Sequence, residues 1–269
     1  MKTTKRAAAL LLCICLLALS ACGGGSDSAT YGRYKSLAVF DTEQFSIGFR
    51  KDDFLRYYVD AAIKTLAADG TLHSIALRWF AEDTTTFVSD AAALEKIGNI
   101  PTRDLIVGVD EDAFPMSYVE GEKYLGFDVD MVKAVCDKLS WSVKFLPIKA
   151  ADAYVELSSG NIDMAWGGLA LDPLSKNYSV LPPYMTNELV LLTRVDSGIR
   201  SKAKLSGKTL AIDVDQKYMD ALDSDPALKD SLGKIKRLTG GAQKCFAELD
   251  AGTADAAIVY AVAARYYGK

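Results

Sequence analysis

Apolar positions along this chain switch repeatedly between a period of two and one near 3.6. Residues 36–42 and 45–50 are two short β-rich runs separated by polar residues. Leu55, Tyr58, Val59, Ala62, Ile63 and Leu66 then recur at helical spacing, and Asp69-Gly70 closes that helix. Thr71 is placed to cap a second helix with Leu72, Ile75, Trp79 and Phe80 on one face. Residues 82–103 form a polar connection with a short helix over 89–97, closed by Gly98-Asn99 and Pro101. Strands follow at 105–109, 143–146 and 162–165. A loop lies at 110–118, a helix opens at Gly126 with Val132, Val135, Cys136 and Leu139 inward, and another helix covers 151–159. Residues 188–194 read as an extended apolar strand. Beyond it come strands at 209–212 and 255–259 and helices at 217–222, 245–249 and 261–267. Strands and helices alternating at these lengths predict an α/β protein with helices on both faces of its sheets.

The first residues carry a different pattern. Lys2, Lys5 and Arg6 precede an uncharged apolar run over 7–19, too short to span a bilayer comfortably. Leu19-Ser20-Ala21-Cys22 resembles a bacterial lipobox. That makes 1–21 a signal peptide, Cys22 the lipidated residue and 22–33 a flexible tether beginning Gly23-Gly24-Gly25-Ser26. An ordinary secretory signal ending in Cys is the other reading. Without the three basic signal residues, 28 of the 31 basic residues face 35 acidic ones, a net charge of −7. That balance argues against nucleic acid as a partner. Cys13 and Cys15 leave with the signal, so Cys136 and Cys245 remain.

Residues 159–185, SGNIDMAWGGLALDPLSKNYSVLPPYM, resemble the signature region of the bacterial extracellular solute-binding proteins, family 3, which serve amino-acid ABC importers. In that family the stretch lies in the first third of the mature chain. The order strand, Gly48-Phe49-Arg50-Lys51, helix, Ala68-Asp69-Gly70-Thr71-Leu72, helix, Trp79-Phe80 resembles how its members end. The resemblance therefore implies a two-lobed periplasmic-binding-protein type II (venus-flytrap) fold, circularly permuted. Lobe 1 is expected at 44–187, with 82–103 joining the family's old C-terminus to its old N-terminus. Lobe 2 is expected at 34–43 plus 188–269. The hinge is expected at 188–194 with the strand around 44–47. Cys136 and Cys245 then fall in different lobes, and the expectation is two buried thiols rather than a bridge.

The family's amino-acid receptors use an acidic residue after the first strand, two aromatics and small residues offering backbone N–H groups. They add an Arg on the ligand α-carboxylate and a second-lobe Asp on its amino group. Position by position, these fall on Asp110; on Ala113, with Phe114 beside it, and Ala150; on Gly167, Gly168 and Ala170; on Ser175, with Lys176 next to it; on Asp213 and Lys217; and on Tyr260. The two charges that define α-amino-acid recognition are thus missing. A slip of one residue would restore Lys176 as the anion clamp and Phe114 as the stacking ring. Asp110, Glu111, Asp112, Asp172 and Asp213, with Phe114, Trp166, Tyr218 and Tyr260, are what remains, and carboxylates with ring faces suit a cation. Structural readings stand beside these: Trp166 as core filler, Asp172 before Pro173 as a helix N-cap, and 110–112 as a solvated loop.

The expected protein is a monomeric, lipid-anchored, extracytoplasmic receptor that closes over a small polar solute and delivers it to an ABC permease. It needs no catalysis, cofactor or metal. His73 has no Cys or second His near it in sequence, and Gly167-Gly168 and Gly240-Gly241 lack the phosphate-loop pattern. A sensor or degenerate scaffold of the same fold is the first alternative. A cleft enzyme resembling cyclohexadienyl dehydratases, with Asp110 or Glu111 as general acid, is the second.

Overall fold

A computed structural model describes residues 29–269. The signal peptide, Cys22 and most of the tether lie outside them. Thirteen strands are described: β1 (Thr30–Tyr31), β2 (Tyr34–Phe45), β3 (Gly48–Arg50), β4 (Asp104–Val109), β5 (Tyr118–Glu120), β6 (Lys123–Leu125), β7 (Ser142–Pro147), β8 (Met164–Ala165), β9 (Tyr178–Val180), β10 (Met185–Arg194), β11 (Thr209–Asp213), β12 (Lys234–Leu238) and β13 (Ala256–Tyr260). The helices are α1 (Leu55–Ala68), α2 (Thr71–Phe80), α3 (Ala93–Ile97), α4 (Phe127–Leu139), α5 (Ala153–Ser159), α6 (Gln216–Asp223), α7 (Pro226–Ser231), α8 (Ala242–Asp250) and α9 (Ala261–Gly268).

The strands build two separate sheets, one in each lobe. The first lobe has order β7-β4-β8-β3-β9 and the second β1-β2-β10-β13-β11-β12, with β5-β6 a small hairpin. Parallel pairs β4/β7, β4/β8, β11/β12 and β11/β13 form the frame. Each sheet also takes one antiparallel strand that arrives from the other lobe. β10, continuing from β9, runs between β13 and β2, and β3, continuing from β2, runs between β8 and β9. The two crossings lie side by side: Tyr184 N–H donates to Phe45 O at 2.9 Å and Leu181 N–H to Ile47 O at 3.0 Å. The crossing therefore lies at 181–185 beside 45–47; residues 188–194, expected as the hinge, instead pair with β13 and β2 inside the second sheet.

Periodicity places the core. Leu55, Val59, Ala62, Ile63 and Leu66 of α1 are buried with Leu72, Ile75 and Phe80 of α2, against Phe127, Val132 and Val135 of α4. In the second lobe, Val190 and Leu192 on one face of β10 pack with Cys245 and Phe246 of α8, while Leu189 and Leu191 pack with Leu205, Leu210 and Leu222. Both thiols are buried and free, and burial pushes each up to about 12.

Several elements differ from expectation. The runs 36–42 and 45–50 do not split at the polar residues, because β2 continues through Thr42, Glu43 and Gln44 while paired to β10, with two register shifts. The 89–97 helix shortens to Ala93–Ile97. Thr71 does not cap α2: it is the first helical residue, and the Asp69 carboxylate accepts its N–H and hydroxyl. Asp172 caps no helix, and its carboxylate accepts Leu174 N–H in a turn.

The last helix meets the start of the described chain. A Cβ on Gly32, whose φ is +54°, would lie 1.9 Å from Gly268 O, and one on Gly268 would lie 2.2 Å from Tyr31 O. Only glycine permits this approach and this φ together.

Candidate functional site

The four parallel strands β4, β8, β11 and β13 end at Asp110, Gly167-Gly168, Asp213 and Tyr260. In open α/β sheets, ligand sites form at the carboxyl ends of strands. These ends face one another across the hinge. Burial raises the Tyr260 pKa, and the carboxylates of Glu43, Asp41, Asp215 and Asp110 raise it further. Asp110 comes from the first lobe, Asp41 and Glu43 from β2, and Asp215 from the loop after β11. The geometric link between that phenol and these acids runs through Lys217, which is paired with Glu43 and sits over the Tyr260 ring. Tyr218 packs on it edge to face, with ring centroids 5.6 Å apart.

Two lysines answer these acids. Lys149 Nζ lies 2.8 Å from Asp110 and 2.7 Å from Asp112. Burial works against its charge, but hydrogen bonds and charge from both carboxylates outweigh it and raise its pKa. Lys217, at the start of α6, lies 2.6 Å from Glu43 Oε2, and its Nζ sits 4.9 Å from the Tyr260 ring centroid. Asp215 caps that helix by accepting Lys217 N–H. Sequence reasoning missed Glu43 and Lys149. Their partners lie 174 and 39 residues away, and only the fold joins them.

The backbone loop of the first lobe is fixed from behind. Asp110 N–H donates to Gly167 O at 2.9 Å, and Gly168 N–H donates to Asp128 Oδ2 at 2.7 Å. Gly168 has φ +63°, and a Cβ there would lie 2.3 Å from Ala113 Cβ. Asp128 is fully buried at the start of α4, and Tyr184 hydroxyl donates to the same oxygen at 2.7 Å. Burial pushes the Asp128 carboxyl up to about 7, and the Gly168 and Tyr184 donors limit the rise. Trp166 is also wholly buried, packed on Tyr184 with an unpaired indole N–H, so it fills the first-lobe core.

The remaining predicted site residues lie as follows. Asp213 is buried, and its two oxygens accept Asp215 and Gly241 N–H groups, which holds the loops after β11 and β12 together. Ala170 is exposed. Ser175 and Lys176 line a depression with Lys51, Asp52 and Tyr178. Register pairs Tyr178 with Arg50, at the end of the sheet away from Gly167. Phe114 points at α9, with its ring 4.9 Å from Tyr266 and 5.7 Å from Tyr267. Asp110 is thus joined to the 167–168 loop and Lys217 to Tyr260, whereas Trp166, Ser175 and Phe114 lie elsewhere.

Two α/β sheets, each completed by a strand crossing from the other, form the frame of a two-lobed solute-binding receptor. The family model of the bacterial extracellular solute-binding proteins, family 3, matches residues 105–257, and the chain belongs to that family. It is similar to the arginine-binding extracellular protein ArtP of Bacillus subtilis, 29% identical over 111 residues, covering 41% of this chain and 44% of that protein. Across the curated relatives the chain spans about half their length, from 44% to 60%. One solved structure it resembles is a polar amino acid ABC uptake transporter substrate binding protein from Streptococcus thermophilus. It is 32% identical with TM-score 0.50, over 61% of this chain and 64% of that one. Another is an ancestral cationic amino acid solute binding protein, 28% identical with TM-score 0.50, over 62% of this chain and 73% of that one. No helix among the described residues is long and apolar enough to cross a membrane.

Proposed function

We propose that this protein is the receptor of an ABC importer and captures a small cationic, amino-acid-like solute between its lobes. The observation that carries the reading is an ammonium held between a carboxylate and a ring: Lys217 Nζ lies 2.6 Å from Glu43 Oε2 and 4.9 Å from the Tyr260 ring centroid. The position that the family resemblance gives to a guanidinium holds Ser175, which lines a depression with Lys51, Asp52 and Tyr178. Carboxylates beside an aromatic face attract ammonium and guanidinium groups. The relatives support the same class, one being named arginine-binding and one a cationic amino acid binding protein. Ligand that touches both lobes stabilises the closed state, and no bond need be made or broken.

Three further features complete the reading. Lipid on Cys22 anchors the chain outside the cytoplasm. Circular permutation accounts for β2, β3, α1 and α2 preceding the matched family region, and the meeting of Gly268 with Gly32 supports it. With β1 and α9 both in the second lobe, the tether leaves from that lobe. Calorimetric titration tests the ligand class: L-arginine and L-lysine are expected to bind, L-glutamate is not, and Asp110→Asn should lose about tenfold in affinity. Tight binding of an anionic solute with cations inert would contradict the proposal. One observation favours a second reading, a scaffold that takes no ligand: Lys149 and Lys217 already occupy the cleft carboxylates. Silence toward every cation would support it.

A further inference from the structure

We infer that Lys217 is a tethered stand-in for the ligand's positive charge, and that Glu43 of the hinge strand is the carboxylate that receives that charge. The inference rests on the cationic-solute reading above and assigns its principal contact. The end of β13, where the family resemblance expects an acidic partner for an amino group, holds Tyr260 instead. Against that ring lies an ammonium already held by a carboxylate. Lys217 Nζ is 2.6 Å from Glu43 Oε2 and 4.9 Å from the ring centroid. A cation against a carboxylate and over an aromatic face is the contact a ligand ammonium or guanidinium would make.

The two halves of the ion pair differ in how firmly they are held. Glu43 is only 15% exposed, and its other oxygen accepts Asn187 Nδ2–H at 3.0 Å. Asn187 is buried and its Oδ1 accepts Val262 N–H, so the carboxylate is fixed between hinge and α9. Lys217 is 43% exposed, and only its backbone is fixed, by Asp215. A flexible four-carbon stem carries the charge, and that stem can swing into water. Departure of Lys217 does not strand a cation in a dry cavity, whereas departure of Glu43 would require breaking a buried network.

The local charge balance favours exchange. Glu43 is paired with Lys217 and Asp110 with Lys149, so each of these carboxylates already holds one cation. An incoming cation that replaces Lys217 restores the same balance at Glu43. A solute without positive charge would leave Lys217 in place on Glu43. Lys217 therefore sets specificity by competition: it excludes neutral and anionic solutes and weakens the affinity for cations that succeed.

Agmatine, which has two cationic ends and no carboxylate, is the probe. Calorimetry of the wild type, Lys217→Met and Glu43→Gln should show agmatine about tenfold tighter in Lys217→Met, the worth of one ion pair with a ring contact. Glu43→Gln should weaken it at least about tenfold. As a second readout, acetylation of Lys217 followed by mass spectrometry should speed up when agmatine saturates the wild-type protein. Equal or weaker binding by Lys217→Met, or Lys217 acetylation unchanged while agmatine binds, overturns the inference and leaves the cationic-solute reading standing. Agmatine inert toward all three proteins, with L-arginine inert too, overturns both.

Discussion

Asp128 is a fully buried acid that pins a first-lobe loop. It lies behind the 167–168 loop, accepts the Gly168 N–H and Tyr184 hydroxyl on one oxygen, and leaves the other unpaired. Its carboxyl is raised from 3.8 to about 7 by burial. Between those values the folded protein holds a proton that the unfolded chain releases, so stability falls as pH rises through this window and levels off above it. At about 1.4 kcal/mol for each pH unit between the folded and unfolded values, the loss amounts to a few kcal/mol. Chemical denaturation at intervals from pH 4 to pH 8 should show this loss in the wild type and not in Asp128→Asn. An identical slope in both proteins would show that Asp128 is ionised in the fold. In the sequence, Gly126-Phe127-Asp128-Val129-Asp130 shows an acid at a helix start, which is ordinarily exposed. Burial by Tyr184, 56 residues on, is a tertiary fact.

At the scale of elements, legibility follows how much of a segment's burial comes from its own period. α1, α2 and α4 can be read because their buried residues recur every three or four positions. β12, Lys-Ile-Lys-Arg-Leu, cannot: it pairs only with β11 at a sheet edge and has no apolar run. β9 and the β5-β6 hairpin are three residues per strand, too short to show a period. β2 is legible in pieces, since its central Thr42 and Gln44 are exposed at the crossing and only the pairing with β10 makes it continuous. The contact between the lobes was equally hidden. Phe114 lies half-buried against Tyr266 and Tyr267 of α9, and Arg265 reaches Glu82 beyond α2 at 2.8 Å. Phe114→Ala should cost roughly 1–3 kcal/mol, less than a fully buried Phe would. Urea denaturation would measure it, and no loss would mean that the ring does not join the lobes. Gly32→Ala should also destabilise by about 1–3 kcal/mol, through both the positive φ and the Gly268 carbonyl it would strike.

For the whole molecule, the order of segments and the architecture are separate properties. Each sheet is completed by a strand that arrives from the other lobe, so the fold needs both crossings wherever an exposed loop is opened. A chain opened within 98–103 and rejoined from residue 269 to residue 29 by a linker, which keeps β1 and Gly32, should keep its melting temperature within a few degrees. Failure to fold would mean that the 82–103 connection holds the lobes together rather than merely joining them. That connection does make contacts of its own: Thr86 N–H donates to Tyr184 O at 2.8 Å, and Asp90 N–H to Lys64 O at 3.0 Å.

Closure over a positive charge is the central claim, and small-angle X-ray scattering of the protein with and without saturating L-arginine tests it most directly. A smaller radius of gyration with L-arginine, and none of that change with L-glutamate, is the predicted result. Compaction by L-glutamate with L-arginine inert would contradict it.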